Sequence, residues 1–237
     1  MNQIRRTRRP TDSPGERART SILDAAEELF AREGPAAVTL RSIAAAADVN
    51  VAAVNYYFGS KEKLFEEMFL RRIVPLNEER LMRLTACLSG TDAKPTLQDI
   101  VTAYVMPALQ LTDAASASAR AIVVQYSLGR VLAIPEVNEM LVRYYARVRE
   151  AFVAALREAV PHLAPHEVVW RYYWMGGSLM VALAVPSGMV DPSGTATEEF
   201  SHDSMQANLV GFLVQGISSP GGAAPKVAAP AQQGTLR

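Results

Sequence analysis

A segment near the N-terminus carries side chains that can hydrogen-bond to another macromolecule. It reads NVAAVNYYFGSK from Asn50 to Lys61, and Asn50 is a good N-cap for a short helix. At about 100° per residue, Val51, Val54 and Phe58 share one side of that helix and are expected to pack inward. The opposite side carries two small residues, an amide and a phenol rather than charges: Ala52, Ala53, Asn55 and Tyr56.

This outward side suits the major groove of double-stranded DNA. Small alanines let the helix backbone lie deep in the groove, and the Asn55 amide can pair with adenine through two hydrogen bonds. Tyr56 and Tyr57 can donate to phosphate oxygens, and Lys61 lies in the first turn of the next helix, where backbone N–H groups favour an anion. Packing of the tyrosines between helices and a solvated Lys61 are the structural alternatives. The predicted DNA-binding residues are Thr39, Arg41, Asn50, Ala52, Ala53, Asn55, Tyr56, Tyr57 and Lys61.

Two preceding helices must position this segment. The first contains ILDAAEELF, in which apolar residues recur at i, i+3, i+4 and i+7, and Gly34-Pro35 ends it. Thr39 is a good N-cap for a short second helix, where Arg41 can join it in holding a neighbouring phosphate. A three-residue turn beginning at Asp48 leads into the third helix. Two short helices joined by such a turn, behind a longer helix, are typical of a helix-turn-helix.

Residues 17–69 closely resemble the DNA-binding domain of the tetracycline-repressor-like (TetR) family of bacterial transcriptional regulators. Three segments together carry the resemblance: ILDAAEELF, TLRSIA and NYYFGSKEKL. The chain departs from the family pattern at Asp48, where the family usually has glycine, and at Asn55, where many members have an aromatic residue. Aspartate tolerates the left-handed conformation, so the turn is expected to survive. The change at Asn55 affects which base sequence is read.

The resemblance implies a homodimer that occupies operator DNA and leaves it when a small-molecule effector binds. It also implies an all-helical domain after the DNA-binding head, and helical patterning is found over 61–89, 96–111, 114–131, 135–160, 165–185 and 196–217. The predicted fold is therefore all-α. Its parts are a disordered basic arm (1–15), a helix-turn-helix DNA-binding domain (16–60), a helical ligand-binding and dimerisation domain (61–217) and a disordered tail (218–237). Pro75 marks either a hinge or the end of the fourth helix.

Residues 167–184 are mostly apolar around the whole helix circumference, and such a helix must be buried on every face. A partner subunit can cover one face of this helix, and Gly176 and Gly177 would allow the two helices to approach closely. The last helix again has apolar residues at helical spacing. We predict that these two helices pair with their symmetry mates, with an intrachain core as the alternative. The predicted interface residues are Trp170, Tyr173, Gly177, Met180, Leu209, Phe212 and Leu213.

Polar groups set among apolar ones in the central helices predict an effector pocket. Such a pocket suits an elongated apolar molecule with one polar or anionic end, which Arg120 or Arg130 would bind. The alternative is that both arginines lie on the surface. The segment VNYYFGSKEKLFEEMFLRRIVPLNEER is similar to a branch that includes fatty-acid- or acyl-responsive regulators. The predicted ligand-binding residues are Arg120, Gln125, Tyr126, Arg130, Tyr144, Tyr145 and Trp174.

Composition excludes several other classes of protein. The single cysteine, Cys87, excludes an internal disulfide and a zinc site built on several cysteines. Prolines interrupt the segment that carries His162 and His166, so no metal ion or cofactor is expected. Neither a nucleophile elbow nor a dinucleotide fingerprint is present, so the protein is not expected to be an enzyme.

The charge balance and hydropathy narrow the remaining choices. Basic and acidic residues balance at 24 each, yet six arginines oppose two acidic residues within residues 1–20, which suits a polyanionic partner. No apolar run is long enough to span a membrane, and a cytoplasmic protein is expected. An architectural DNA binder and a small-molecule-binding protein without specific DNA recognition are the alternatives to a repressor.

Overall fold

The computed structural model describes residues 13–34, 36–90, 94–114, 135–184 and 202–221. These residues form eight helices and no strand, which confirms the all-α prediction. The helices are α1 (Pro14–Glu33), α2 (Leu40–Ala46), α3 (Val51–Phe58), α4 (Lys61–Leu88), α5 (Leu97–Ala114), α6 (Pro135–Ala159), α7 (Pro165–Ala184) and α8 (His202–Ser218). None of them is both long enough and apolar enough to cross a membrane.

The observed helices follow the predicted ones closely. The ends of α4, α5, α6 and α7 fall within three residues of the predicted ends. The predicted helix over 114–131 lies almost entirely outside the described residues, as do nearly all of the basic arm and most of the C-terminal tail.

One hydrophobic core joins the first three helices to the start of α4. Its centre is Phe30 of α1, which makes edge-to-face contacts with Phe65 and Phe69 of α4 at centroid distances of 5.3 and 5.4 Å. Val54 of α3 and Ile43 of α2 are fully buried in the same core. The head is therefore packed directly on α4 rather than attached by a flexible linker.

Ion pairs reinforce this contact between α1 and α4. Glu27 is buried, and its carboxylate accepts two hydrogen bonds from Arg72, from Nε at 3.0 Å and from Nη2 at 2.5 Å. Arg71 donates to Asp24 at 2.5 Å, and Arg19 pairs with Glu67. A two-point pair between guanidinium and carboxylate has a defined geometry, so these pairs constrain the angle between the head and α4.

A second core is formed by the C-terminal part of α4 together with α5, α6, α7 and α8. Its fully buried side chains include Phe152 and Leu156 of α6 and Met175 of α7. Pro75 lies inside α4, between the parts of the helix that belong to the two cores, and not at its end. Because proline has no N–H, the helix lacks one backbone hydrogen bond at this point.

Arg171 of α7 holds the C-terminal end of α8. Its Nη1 donates to the carbonyl oxygens of Gly216, Ile217 and Ser219 at 2.7–2.8 Å, and its Nη2 donates to that of Pro220 at 3.2 Å. The last carbonyls of a helix have no partner within the helix and carry partial negative charge, which a buried guanidinium satisfies. The two C-terminal helices are thereby fixed to each other.

Candidate nucleic-acid interface and effector site

The turn and the caps of the helix-turn-helix are formed by local hydrogen bonds. The Thr39 hydroxyl accepts from the Ser42 N–H at 3.1 Å, and the Ser42 hydroxyl accepts from the Thr39 N–H at 3.0 Å. Asn50 Oδ1 accepts from the Ala53 N–H at 2.7 Å and caps α3. Asp48 has a φ of 54°, so the left-handed turn predicted at this position is confirmed.

The two sides of α3 are divided as the spacing predicts. Val54 and Phe58 are buried in the head, whereas Ala52 and Asn55 are exposed and Tyr56 is 84% exposed. Ala53 is half-buried. The helix therefore presents an amide and a phenol to the exterior from a backbone anchored by its apolar side.

Asn50 and Thr39 differ from the other predicted DNA-binding residues because their oxygens already cap helices. The Asn50 amide oxygen is engaged at the start of α3, which leaves its Nδ2 as the donor available to a phosphate. Arg41, the second residue of α2, is exposed. These three residues lie at the N-terminal ends of α2 and α3, where helix dipoles favour an anion.

The two adjacent tyrosines occupy different surroundings. The Tyr57 ring is half-buried against the head core and meets the Tyr56 ring edge-on at 5.3 Å. Its hydroxyl approaches Gly15 so closely that an added Cβ there would lie 3.3 Å away. Tyr57 thus packs between helices, which is the structural alternative to phosphate binding given above for both tyrosines. Tyr56 projects outward instead.

The N-terminal end of α4 carries both a cation and an anion. Lys61 is half-buried, with its ammonium 5.4 Å from the centroid of the Phe65 ring. The pKa of the Glu62 carboxyl is lowered, chiefly by its own backbone N–H and then by the Ser60 hydroxyl. The helix end that was predicted to favour a phosphate therefore already stabilises the Glu62 carboxylate.

The residues predicted to line an effector pocket do not form one group. Arg120, Gln125, Tyr126 and Arg130 lie outside the described residues. Tyr145 of α6 is half-buried and packs against the head core. The structure differs from the prediction at Tyr144, whose side chain is exposed and lies beneath the Arg143 guanidinium. Tyr144 and Tyr145 are consecutive residues of a helix and point about 100° apart, so the two side chains do not face the same site.

Trp174 also differs from the prediction. Its side chain is 61% exposed and stacks on Trp170 at 6.4 Å, on the side of α7 opposite the buried Tyr172 and Met175. It does not reach the interior where Tyr145 lies, because the positions that face the core on this helix are Val168, Arg171, Tyr172, Met175, Leu179 and Leu183.

The interior instead contains a polar group centred on Arg80 of α4, which sequence analysis missed. Arg80 is fully buried; its Nε donates to the Tyr104 carbonyl oxygen at 2.9 Å, and its Nη1 donates to Asn77 Oδ1 at 3.4 Å. Its guanidinium lies over the Tyr104 ring at 4.1 Å. The signal in the sequence was the helical spacing of Ile73, Asn77, Arg80 and Leu84, which places a charged residue in the phase of the apolar ones.

Three tyrosines surround this arginine. Burial raises the pKa of Tyr145, and the charge of Arg80 opposes that increase. Burial is also the main cause that raises the pKa of Tyr172, to which the neighbouring Tyr104 adds. An added Cβ at Gly176 would lie 3.3 Å from the Tyr104 hydroxyl, so α7 approaches this hydroxyl closely. The group therefore combines one cation with three neutral phenols inside an apolar core.

An exposed apolar surface covers the outer side of α7 and α8. Trp170, Tyr173 and Phe212 are 58%, 50% and 67% exposed, and Gly177 has open space above it. Met180 and Leu209 are half-buried. Between the two helices a groove of about 270 Å³ is bordered by Trp174 and Phe212.

Leu213 departs from the interface prediction. It is only 4% exposed and belongs to the core of its own chain, together with Ile217 one turn later. Its neighbour Phe212 points outward instead, because successive residues of a helix face different directions. The intrachain alternative therefore holds for Leu213.

Comparisons with known proteins agree with this architecture. A model of bacterial regulatory proteins of the tetR family matches residues 22–68, and a model of the tetracyclin repressor-like C-terminal domain matches residues 102–216. The HTH-type transcriptional regulator BetI of Rhizobium meliloti is 24% identical over 192 residues, which cover 80% of this chain and 90% of BetI. The HTH-type transcriptional repressor KstR2 of Rhodococcus jostii is 37% identical over 84 residues, which cover 35% of this chain and 40% of KstR2.

A solved structure shows the same fold at low sequence identity. FadR of Bacillus subtilis, crystallised in complex with stearoyl-CoA, superposes with a TM-score of 0.62 at 14% identity and covers 83% of this chain and 98% of its own. The two family models together match more than half of the chain, head and regulatory domain alike. The protein is therefore a transcriptional regulator of the TetR family.

Proposed function

We propose that the protein is a ligand-responsive repressor that binds operator DNA as a homodimer and leaves it when a small, mostly apolar molecule binds. The observation that carries the proposal is the outward side of α3. Asn55 and Tyr56 are exposed there, while Val54 and Phe58 anchor the same helix in the head core. In this arrangement Asn55 reads an adenine edge, and Tyr56 and Arg41 contact phosphates.

Dimerisation through the outer side of α7 and α8 provides the second head. The exposed Trp170, Tyr173, Trp174 and Phe212 form an apolar surface of the kind that a partner covers. A two-fold dimer presents two α3 helices, which must be about 34 Å apart to enter successive major grooves. Operator affinity then depends on how the two heads are spaced.

The helix α4 connects the head to the second core, which is formed by the C-terminal part of α4 with α5 to α8 and is called the regulatory core below. Its N-terminal part belongs to the head core through Phe65 and Phe69, and its C-terminal part belongs to the regulatory core through Leu84. An effector that favours a different position of α4 shifts the spacing of the heads and lowers operator affinity. The free energy by which the effector weakens operator binding equals the free energy by which operator DNA weakens effector binding. Pro75, between the two parts, is the point at which α4 bends in this mechanism.

The effector proposed for this site is mostly apolar, such as an acyl or fatty-acid-like molecule. The regulatory core supplies an apolar interior with a few convergent polar groups, which is the usual composition of a small-molecule site. The structurally similar FadR of Bacillus subtilis, which was crystallised in complex with stearoyl-CoA, supports an effector that carries a long apolar chain.

The DNA-binding part of the proposal is tested by fluorescence anisotropy with the intergenic DNA upstream of the protein's own gene. Asn55→Ala is expected to weaken binding to the specific segment by roughly tenfold or more, since a bidentate base contact contributes about 1–3 kcal/mol. Gln98→Ala, at an exposed amide on α5, is the matched control and should bind as the wild type does. Unchanged affinity and specificity in both Asn55→Ala and Tyr56→Ala would contradict the assignment of α3 as the reading helix.

A further inference from the structure

The buried guanidinium of Arg80 lacks the partners that every other buried charge in the described residues has. Glu27 is paired with Arg72, and Arg171 donates to four backbone carbonyl oxygens and the Ser219 hydroxyl. Arg80 makes two hydrogen bonds to neutral oxygens and lies over the Tyr104 ring, and none of the ion pairs among the described residues includes it. Its Nη2 is buried and has no hydrogen-bond partner there.

An unpaired buried cation is costly, so its retention in the core calls for a partner that arrives from outside. The free Nη2 carries two N–H donors, and an oxygen anion is the group that such donors bind best. Neither of the oxygens already held by Arg80 carries a formal charge, since one is a backbone carbonyl and the other an amide. One negative charge would neutralise the site.

The neighbouring hydroxyls favour the same type of ligand. The Arg80 guanidinium lies over the Tyr104 ring at 4.1 Å, and the Tyr172 ring meets the Tyr104 ring edge-on at 5.5 Å. The charge of Arg80 also acts on Tyr145, whose pKa it lowers against the effect of burial. Neutral phenols donate hydrogen bonds to oxygen anions, and their rings provide an apolar wall for the rest of the molecule. A single guanidinium nitrogen and a phenol match the two oxygens of a carboxylate, whereas a dianionic phosphate would keep an uncompensated charge.

We propose that Arg80 is the anion receptor of the effector site and binds the carboxylate of a mostly apolar acid, with Tyr145 as the second donor. This inference rests on the proposed function, because it identifies what the regulatory core binds. It excludes neutral apolar molecules of the same shape as strong effectors, and it excludes acyl thioesters, whose acyl end has no free carboxylate.

The position of Arg80 explains how a bound carboxylate reaches the head. Arg80 lies on α4 five residues after Pro75, and it contacts Asn77, whose Nδ2 donates to the Tyr144 carbonyl oxygen of α6 at 3.3 Å. The next residue of α6, Tyr145, packs against the head core. A ligand that pulls on Arg80 and Tyr145 therefore acts on both α4 and α6 next to the head.

The test is titration calorimetry on the full-length protein with a series of straight-chain carboxylates from hexanoate to hexadecanoate, each paired with its methyl ester. We expect at least one carboxylate to bind roughly tenfold or more tightly than its ester, since charge-assisted hydrogen bonds are lost in the ester. Arg80→Met should remove this difference, so that acid and ester bind equally. Arg83→Met is the matched control on the same helix, because Arg83 is already paired with Glu79 and Gln110.

A second variant keeps the test decisive if Arg80→Met does not fold. Tyr145→Phe removes only a hydroxyl and should weaken the carboxylate several-fold while leaving the ester unchanged. Equal binding of acid and ester to the wild type, or no binding by any acid of the series, would overturn the inference. Tighter binding of the acyl thioester than of the acid would overturn it as well.

The outcome also separates this inference from the proposed function. Specific operator binding that is released by a neutral ligand would refute the role of Arg80 and leave the repressor intact. Carboxylate binding that depends on Arg80, in a protein that does not distinguish operator from scrambled DNA, would refute the repressor and leave the carboxylate site.

Discussion

Arg72 and Glu27 form a two-point ion pair that joins α4 to α1, with Nε–Oε1 at 3.0 Å and Nη2–Oε2 at 2.5 Å. The carboxylate is almost fully buried, whereas the guanidinium keeps 28% of its side chain exposed. The pair stands where the DNA-binding head meets the helix that continues into the regulatory core. Loosening it should affect both the stability of the head and its orientation on α4.

Glu27→Gln is expected to lower the free energy of unfolding by about 2 kcal/mol. Breaking a buried ion pair typically costs about 3–5 kcal/mol, and the partial exposure of Arg72 reduces that figure. Urea denaturation followed by circular dichroism measures the change. Glu28→Gln, at the exposed neighbouring position, is the control and should stay within about 0.5 kcal/mol of the wild type. Equal stability of the two variants would show that the pair does not hold the head.

Arg41→Ala should weaken operator binding without changing which sequence is preferred. An exposed cation at the start of α2 is placed to contact a phosphate, and losing one phosphate contact lowers the slope of log affinity against log salt by about 1. The measurement is anisotropy over a range of salt concentrations. Arg157→Ala, at an exposed arginine on α6, should keep the wild-type slope. A loss of sequence preference in Arg41→Ala would instead place Arg41 against a base.

Phe212→Glu should convert the proposed homodimer into monomers. The change puts a charge at the centre of the exposed apolar surface of α7 and α8, where a partner would have to desolvate it. Light scattering coupled to gel filtration should show half the wild-type mass, and operator affinity should fall because one head binds one half-site. Val142→Glu, at an exposed apolar position on α6, should leave the mass unchanged. A dimeric Phe212→Glu protein would move the interface elsewhere.

Alkaline pH should destabilise the protein through Tyr172. Because burial raises the pKa of this phenol in the folded state, the stability linked to its protonated form is complete below the unfolded pKa of about 10 and is lost as pH rises above that value. Each tyrosine of this kind contributes a slope of up to about 1.4 kcal/mol per pH unit. Tyr172→Phe should therefore flatten the fall in stability between pH 10 and 11, measured by urea denaturation and compared with Tyr173→Phe. A slope identical in both variants would contradict the burial of the Tyr172 hydroxyl.

Local signals in the sequence were sufficient to predict the DNA-binding head. The N-caps Thr39 and Asn50 and the left-handed Asp48 act over three or four residues, so their effects can be read without knowing the tertiary structure. The division of α3 into buried and exposed sides followed from helical periodicity alone, since Val54 and Phe58 are one turn apart.

The interior of the regulatory core could not be predicted in the same way. Arg80 lies next to Glu78 and Glu79, and a charged run of this kind is normally a solvated face. It is buried because α5 and α6 cover α4 at this turn, which depends on contacts distant in sequence. Trp174 was expected inside and lies outside, because α7 is apolar all round and its sequence does not show which side faces the core. Leu213 of α8 was expected at the interface and lies in the core of its own chain, because it shares the inward side of that helix with Ile217.

The central claim, that this regulator recognises one specific operator, is tested most directly with wild-type protein and its own upstream intergenic DNA. Anisotropy would be measured with that DNA and with a scrambled competitor at several salt concentrations. The account predicts that one segment binds roughly a thousandfold more tightly than scrambled DNA at physiological salt. Equal and steeply salt-dependent binding to both would mean that only phosphates are contacted, and it would contradict specific recognition by α3.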